Sequence, residues 1–250
     1  VSDFQPRQRS GSGGSARVRS GNLTDGMRRR LEEAKVAVGQ PFIGVTIDGS
    51  PQKGLFNIRN TGLSTAAITD ATQAFLAQLN PQEKSAATFH LEAPEWRQWC
   101  NIHPFLLRHG ALLEELSEAQ LNAALGILKA AMSPLGFETA RNVMRLNSAI
   151  GSITQRYEEY GELVYWLSIM GEPSHTEPWG WQIDGHHLIV NCFVLGDQLV
   201  TTPTFMGSEP VAVADGQHEG IRVFENEESN GLRLMQSLSF QQTDPTPTKT

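Results

Sequence analysis

The sequence has only two cysteines among its 250 residues, Cys100 and Cys192. Two cysteines do not make a disulfide framework, and their spacing is not that of a zinc site, so we expect reduced, buried thiols. No apolar run approaches the roughly 20 residues needed to span a bilayer, and the N-terminus lacks the apolar segment of a secretion signal. The sequence therefore predicts no membrane partner and leaves the compartment open.

Motifs that name a reaction are also missing. The chain has no Gly-x-Ser-x-Gly elbow, no His-Glu-x-x-His and no Cys-x-x-Cys. The run Gly11-Ser12-Gly13-Gly14 lacks the strand and helix that surround a phosphate-binding loop. Any functional hypothesis must therefore come from polar residues that the fold brings together.

Positive charge is scarce outside the N-terminus. The net charge is −7, yet seven arginines fall within the first thirty residues, so the remainder is more acidic still. An acidic body argues against a nucleic-acid partner. The Ser-, Gly- and Arg-rich start has almost no aromatic residues, which favours a disordered arm over a phosphate-gripping one. We expect a disordered basic arm over 1–22, a single α+β domain over 23–240, and a disordered tail over 241–250.

Helix signals dominate the first half of the predicted domain. Asn80 and Ser117 each begin a capping-box pattern, and Ser133-Pro134 begins a third helix. Apolar spacing predicts further helices after Thr24, after Thr65 and near the C-terminus over about 228–238. Short strands are predicted at Phe42–Asp48, Gly54–Arg59, 163–171, 210–214 and 221–224. We therefore predict an α+β fold, with a helical N-terminal half packed on an antiparallel β-meander sheet.

The meander occupies residues 178–210, where Asp184-Gly185 and Gly196-Asp197 are both tight-turn signals. If each pair forms a two-residue loop, Trp181 faces Leu188 in the first hairpin. In the second hairpin, Leu195 then faces Gln198 and Asn191 faces Thr202. Alternation predicts one apolar face and a mixed face that carries a polar patch of Gln182, His187, Asn191 and Thr202. His186 and His187 would point to opposite faces, so one metal could not hold both from a regular strand.

His187 is the candidate functional residue on the mixed face. Gln182 and Asn191 could fix its tautomer and leave one ring nitrogen free, and Glu209 could act nearby as an acid, base or ligand. These four residues form the predicted catalytic set. A metal site built from His187, His175 and a carboxylate is an alternative, as is an interior hydrogen-bond network that only ties sheet to helix.

Several stretches of this sequence resemble a family of unknown function, DUF3500. The resemblance is carried by Trp179-Gly180-Trp181, Gly185-His186-His187-Leu188 and Thr202-Pro203-Thr204-Phe205, together with the stretches 41–65 and 95–103. It covers Gln40 to Leu238 and implies no established activity. Members of the family usually continue past the point that matches Leu238, so the resemblance implies that this chain carries the N-terminal half only.

Three functions are compatible with these features. The first is a metal-dependent enzyme, oxidative or hydrolytic, in which His187 is a ligand of a divalent metal or a general base. The second is a non-catalytic ligand-binding or scaffold protein, and the third is an inactive remnant of a longer family member. A small-molecule ligand is the expected partner. Apolar surface left by a missing half would favour homo-oligomers or pairing with that half.

Overall fold

A computed structural model describes residues 24–41, 50, 52–55, 57–59, 61–101, 108–156, 159–239 and 242. The predicted arm, the predicted strand Phe42–Asp48 and nearly all of the predicted tail lie outside these residues. The described part of the Gly54–Arg59 segment forms no strand, so that prediction is wrong there.

Three helices of the described residues begin at a short polar side chain, Asn80, Ser117 or Ser133, that accepts from a backbone amide of the first turn. The helices are α1 (Asp25–Gly39), α2 (Ala66–Ala77), α3 (Pro81–Ala87), α4 (Glu118–Ala131), α5 (Pro134–Thr154) and α6 (Glu225–Ser237). Asn80 accepts from the amide of Glu83 at 2.9 Å, and the Glu83 carboxylate accepts from the amide of Asn80 at 2.9 Å. Ser117 and Gln120 make the same reciprocal pair at the start of α4. Both predicted capping boxes are confirmed. Within the described residues, no helix is long and apolar enough to cross a membrane.

The strands form a mixed, mostly antiparallel sheet. They are β1 (Thr88–Phe89), β2 (Ala111–Leu112), β3 (Tyr165–Met170), β4 (Trp179–Gly185), β5 (Leu188–Leu195), β6 (Gln198–Val200) and β7 (Thr204–Met206). The sheet is centred on β3, β4 and β5; β1 and β2 flank β3, whereas β6 and β7 flank β5. Only the β1–β3 pair is parallel. The predicted α+β class is confirmed.

The second hairpin has the predicted register, but the first does not. Leu195 pairs with Gln198 around the Gly196-Asp197 turn. In the first hairpin Gly185 pairs with Leu188, so the turn is His186-His187 and not Asp184-Gly185. Gly185 has a packing role instead: a Cβ at that position would lie 2.2 Å from a ring carbon of Tyr165 on β3. This glycine makes room for a neighbouring ring, and it does not bend the chain.

For the residues within the strands, the shifted turn leaves the two sheet faces as predicted. The predicted register places Leu188 opposite Trp181, whereas the structure places Cys192 there. The two positions differ by an even number of residues. Because side chains alternate with a period of two, each strand residue stays on its predicted face. The predicted partner of Asn191 is also wrong. β6 ends at Val200, and β7 resumes with Thr204 opposite Val190.

One face of the sheet, the helix face, forms the core. It packs together with buried side chains of α2, α4 and α5 in a single cluster. Its members from the three central strands are Tyr165, Leu167, Ile169, Trp179, Trp181, Ile183, Leu188, Val190, Cys192 and Val194.

The other face, the loop face, is covered by the chain around residues 96–101 and 108–110. Gly180 admits the ring of Trp96, because a Cβ on this glycine would lie 2.7 Å from that ring. The backbone carbonyl of Trp96 accepts from Gln182 at 3.2 Å, and the amide of Cys100 donates to Asp184 at 3.4 Å. Both faces of the central strands are therefore buried.

The predicted strands after the meander are reduced to one isolated bridge between Ala212 and Arg222. Helix α6 follows and buries none of its residues.

Candidate functional site at the turn of the β4–β5 hairpin

His187 occupies the second position of the hairpin turn, beyond the ends of both strands. Its φ is +92°, a conformation that is uncommon for any residue with a side chain. The amide of Gly207 donates to the carbonyl of His187 at 2.8 Å, which ties the turn to the chain after β7. The backbone therefore holds this histidine in place from two sides.

The imidazole of His187 is half-buried, and its two nitrogens differ. Within the described residues, Nδ1 is buried without a hydrogen-bond partner, whereas Nε2 is not buried and makes no hydrogen bond. Burial lowers the pKa of His187, and the negative charge of Glu209 opposes that shift. The ring is therefore neutral at neutral pH, with Nε2 in position to exchange a proton.

His186 precedes His187 in the turn and is firmly held. Its ring lies 4.0 Å from that of His187, centroid to centroid, at an interplanar angle of 75°. Its Nδ1 lies 3.0 Å from Oδ1 of Asn147 on α5, and its carbonyl accepts from the Tyr165 hydroxyl at 2.9 Å. The predicted placement of the two histidines on opposite sheet faces is wrong, because both belong to the turn. Only 8% of the His186 surface is exposed, as expected of a partnered core histidine.

Asn147 connects His186 to a group of charged residues. Its side-chain nitrogen donates to the carbonyl of Gly161 at 2.8 Å, next to Glu162. Glu162 accepts from Arg141 at 2.6 Å and lies 3.5 Å from Nε2 of His218. The Glu162 carboxylate therefore has two partners: the guanidinium of Arg141 on α5 and the imidazole of His218 after β7.

We call this assembly the turn-end cluster. It comprises Asn147, Tyr160, Glu162, His186, His187, Glu209 and His218. Three of its seven members are histidines drawn from two separate chain segments. A patch with partly exposed imidazole and carboxylate groups can bind a polar small molecule and move protons on it.

Gln182 and Asn191 lie away from His187. Gln182 donates to Oδ1 of Asn191 at 2.6 Å, and Asn191 donates to the carbonyl of Pro203 at 2.8 Å. They face each other in the middle of β4 and β5, whereas the shifted turn carries His187 past the strand ends. The prediction that they orient His187 is therefore wrong.

His175 and His187 lie at opposite ends of β4 and cannot share a metal. His175 precedes the strand and lies 3.4 Å from Asp70; the seven residues of β4 correspond to roughly 23 Å of extended chain. Within the described part of the chain, no group of three His, Cys, Asp or Glu side chains could hold a metal ion. The predicted metal pair is corrected accordingly.

The loop face contains two further polar pairs that the sequence did not indicate. Arg108 and Asp184 form an ion pair in which the side chains are 4% and 1% exposed. Nδ1 of His109 lies 2.8 Å from the Ser168 hydroxyl, and its Nε2 lies 3.1 Å from the carbonyl of Gln98. A serine–histidine pair is a nucleophile arrangement, but Ser168 is only 1% exposed. We interpret this pair as a structural link between the sheet and its cover.

The missed members of the turn-end cluster lie far apart in sequence. In the sequence, Asn147 is one polar residue within the helical pattern of α5, and Tyr160 and Glu162 lie in the connection between α5 and β3. The contact between His186 and Asn147 depends on the turn at His186-His187. The sequence places the turn one pair earlier, at Asp184-Gly185, and therefore gives no indication of this contact.

Comparison with known proteins gives a family match. The family model described as a protein of unknown function (DUF3500) matches residues 61–248. This range runs through most of the chain, not through its N-terminal half alone, and it includes the whole turn-end cluster. The portion of the resemblance before residue 61 lies outside the match. No curated protein and no solved structure matches the chain.

Proposed function

Since this chain belongs to the DUF3500 family, whose function is unknown, we propose a function from its own residues: a hydrolytic enzyme in which His187 is the general base. The observation that carries the proposal is the state of the His187 ring. It is half-buried and neutral, its backbone is held at positive φ, and one nitrogen is open. Perturbed titratable groups of this kind concentrate at functional sites.

In this reaction Nε2 of His187 takes a proton from a water molecule as the water oxygen attacks the carbonyl carbon of an ester. The bond to the leaving oxygen then breaks, and the imidazolium returns the proton to that oxygen. Glu209 stabilises the imidazolium that forms, since its charge already raises the pKa of this ring.

Accepting at Nε2 requires that the neutral ring carry its proton on Nδ1. Because Nδ1 is buried without an acceptor among the described residues, this tautomer is costly, and the proposed role depends on it. Nitrogen chemical shifts of the His187 ring report this tautomer directly, and a ring protonated on Nε2 would contradict the proposed role.

A metal-dependent form of this enzyme has less support, because the described residues contain no three-ligand group. The two forms respond differently to chelation. If His187 works without a metal, removal of metals by EDTA leaves the hydrolytic rate unchanged. A rate that EDTA abolishes and Zn²⁺ restores would favour the metal-dependent form.

The probe for activity is p-nitrophenyl acetate, a generic ester. We expect His187→Gln to lower its hydrolysis by about 100-fold or more, the usual contribution of a general base. His175→Gln is the matched control, because His175 is exposed at the other end of β4; this variant should retain the wild-type rate. Equal rates of p-nitrophenyl acetate hydrolysis for wild type and His187→Gln would contradict the proposal.

The alternative of a non-catalytic ligand-binding or scaffold protein is favoured by one observation. Gln182 and Asn191 satisfy each other and the backbone inside the sheet, which is what an interior network that ties elements together would show. Small-molecule binding and self-association stay predictions under either function.

A further inference from the structure

Four rings lie in a row across the end of the sheet where the first hairpin turns. The ring of Tyr160 lies 5.2 Å from that of His186, and the ring of His186 lies 4.0 Å from that of His187, centroid to centroid. The ring of His187 lies 6.2 Å from that of Phe205. We call these four rings the aromatic row. It places the candidate general base between two other rings.

Phe205 forms the outer end of this row. It pairs with Ile189 of β5, and paired residues lie on the same face of a sheet, so both side chains belong to the loop face. Ile189 is fully buried, whereas 38% of Phe205 is exposed. Among the described residues, Met206 packs against the core cluster and Phe205 does not. Phe205 is therefore an exposed ring beside the candidate base that the core does not require.

Gly207 fixes the spacing of Phe205 and His187. Its amide donates to the carbonyl of His187 at 2.8 Å. A Cβ on this glycine would lie 3.1 Å from the Phe205 ring and 3.2 Å from Nδ1 of His187, so a larger residue would press on both rings. The backbone of one short segment thus sets the position of Phe205 relative to the base.

The charges near the row indicate which molecules fit beside it. Glu209 acts on the His187 ring, and its negative charge would repel an anionic substrate. On the far side of His186, the Glu162 carboxylate is offset by the Arg141 guanidinium at 2.6 Å. The row therefore suits a molecule that is planar, aromatic and uncharged.

We propose that the aromatic row binds the ring of an uncharged aromatic ester, with Phe205 as the residue that selects an aromatic ring over a saturated one. This substrate class rests on the proposed function of His187 as a general base, and the ester is cleaved by the same step, with water as the co-reactant. Contact between two aromatic rings stabilises a complex beyond the apolar area that it buries.

Binding is tested with amides, whose hydrolysis is negligible. The NMR resonances of the His187 ring, assigned by their loss in His187→Gln, are followed during titrations with phenylacetamide, cyclohexylacetamide and phenylacetate. We expect phenylacetamide to bind about two- to tenfold more tightly than cyclohexylacetamide, although the saturated ring has more apolar surface to bury. Phenylacetate should bind more weakly than its amide because of its charge. Equal affinities for the two amides would overturn aromatic recognition, and tighter binding of phenylacetate would overturn the requirement for neutrality.

Two variants of Phe205 and one control locate the recognition. Phe205→Leu keeps an apolar side chain and removes the ring, so the preference for phenylacetamide should disappear, whereas Phe205→Trp should keep it. Val200→Ala is the control, because Val200 is an exposed residue of the same face on β6; this variant should bind both amides as wild type does. Thermal melts confirm that the variants fold. An unchanged preference in Phe205→Leu would show that Phe205 is not the selecting residue.

Ester hydrolysis separates this inference from the proposed function. Methyl phenylacetate carries the ring on the acyl side and benzyl acetate carries it on the alcohol side; each is compared with its cyclohexyl counterpart. We expect kcat/KM to favour the aromatic ester by about two- to tenfold in at least one pair. If neither pair shows a preference while p-nitrophenyl acetate hydrolysis still depends on His187, the aromatic substrate is wrong and the general base stands. If His187→Gln hydrolyses p-nitrophenyl acetate at the wild-type rate while phenylacetamide binds preferentially, the base is wrong and the row stands as a binding site.

Discussion

His187 shows how one backbone position can prepare a side chain for chemistry. Positive φ costs a residue with a Cβ of the order of 1–3 kcal/mol, and the hydrogen bond from Gly207 helps to hold it. The His187 ring then lies 4.0 Å from the ring of His186 and 6.2 Å from the ring of Phe205 on β7, centroid to centroid. The lowered pKa of His187 follows from this partial burial.

Removing the charge of Glu209 should lower the pKa of His187 further. Among the described residues, Glu209 is the charge that raises this pKa against the effect of burial, so Glu209→Gln leaves burial unopposed. Titration of the His187 ring by NMR measures the shift. Glu177→Gln is the control, because Glu177 precedes the other end of β4 and should leave the midpoint where it was. A midpoint that rises in Glu209→Gln would contradict the assigned interaction.

Two glycine substitutions should have opposite effects on stability. Gly185→Ala drives a methyl group to within 2.2 Å of the Tyr165 ring, and such overpacking costs about 1–3 kcal/mol. Gly126→Ala, inside α4, meets nothing within 4 Å and should stabilise the protein by about 0.5–1 kcal/mol through helix propensity. Urea unfolding measures both. A neutral Gly185→Ala would contradict the close packing of the Tyr165 ring against this glycine.

At the scale of elements, the sequence predicted what depends on neighbours along the chain. The helices α3 and α4 were recognised because each capping residue and its partner are three positions apart. The first hairpin was misplaced because Asp184-Gly185 carries a turn signal, whereas the requirement for Gly185 comes from Tyr165 on another strand. Glu209 and His187 both lie within the meander stretch, so the sequence could select them. Asn147 and His218 lie outside it and join the cluster only through contacts between distant parts of the chain.

The buried pair that joins the loop face to its cover should make stability depend on pH. Burial raises the pKa of Asp184 to about 6, and the Arg108 guanidinium opposes that rise. In Arg108→Met the pKa of Asp184 rises further. The folded variant therefore keeps a proton from about pH 4, where the unfolded chain releases it, up to this higher pKa, whereas the folded wild type keeps it only to about pH 6. Stability then falls as the pH rises. We expect a loss of about 3–5 kcal/mol at pH 8 and a smaller loss at pH 5.

Urea unfolding at both pH values tests this expectation. Arg222→Met is the control, since Arg222 is 46% exposed in its pairs with Glu225 and Glu228 and should lose little at either pH. A cost of Arg108→Met that is the same at pH 5 and pH 8 would mean that Asp184 is not the group responsible.

At the scale of the whole molecule, one buried cluster joins the helix face of the sheet to α2, α4 and α5. Helix α6 stands apart from it, with Leu232, Leu234 and Met235 more than half exposed. The domain limits stay a prediction, as does the third hypothesis of an inactive remnant. A remnant would unfold without cooperativity, whereas a shared core should give coincident transitions in helix circular dichroism and tryptophan fluorescence.

A matched pair of leucines measures where the shared core ends. Leu128→Ala, in α4 at a buried position of that cluster, should cost about 2–5 kcal/mol. Leu234→Ala, in α6 with 61% of the residue exposed, should change the free energy of unfolding by no more than about 0.5 kcal/mol. A large loss for Leu234→Ala would show that α6 is covered in solution.

The period-two alternation of side chains in the first hairpin also limits which insertions and deletions this protein can tolerate. Adding or removing two residues at the His186-His187 turn keeps every side chain of β4 and β5 on its present face, so the core survives while the turn is remodelled. A single-codon insertion within either strand reverses the two faces beyond that point and drives Gln182 or Asn191 toward the core. Length variation at this hairpin should therefore occur in pairs of residues.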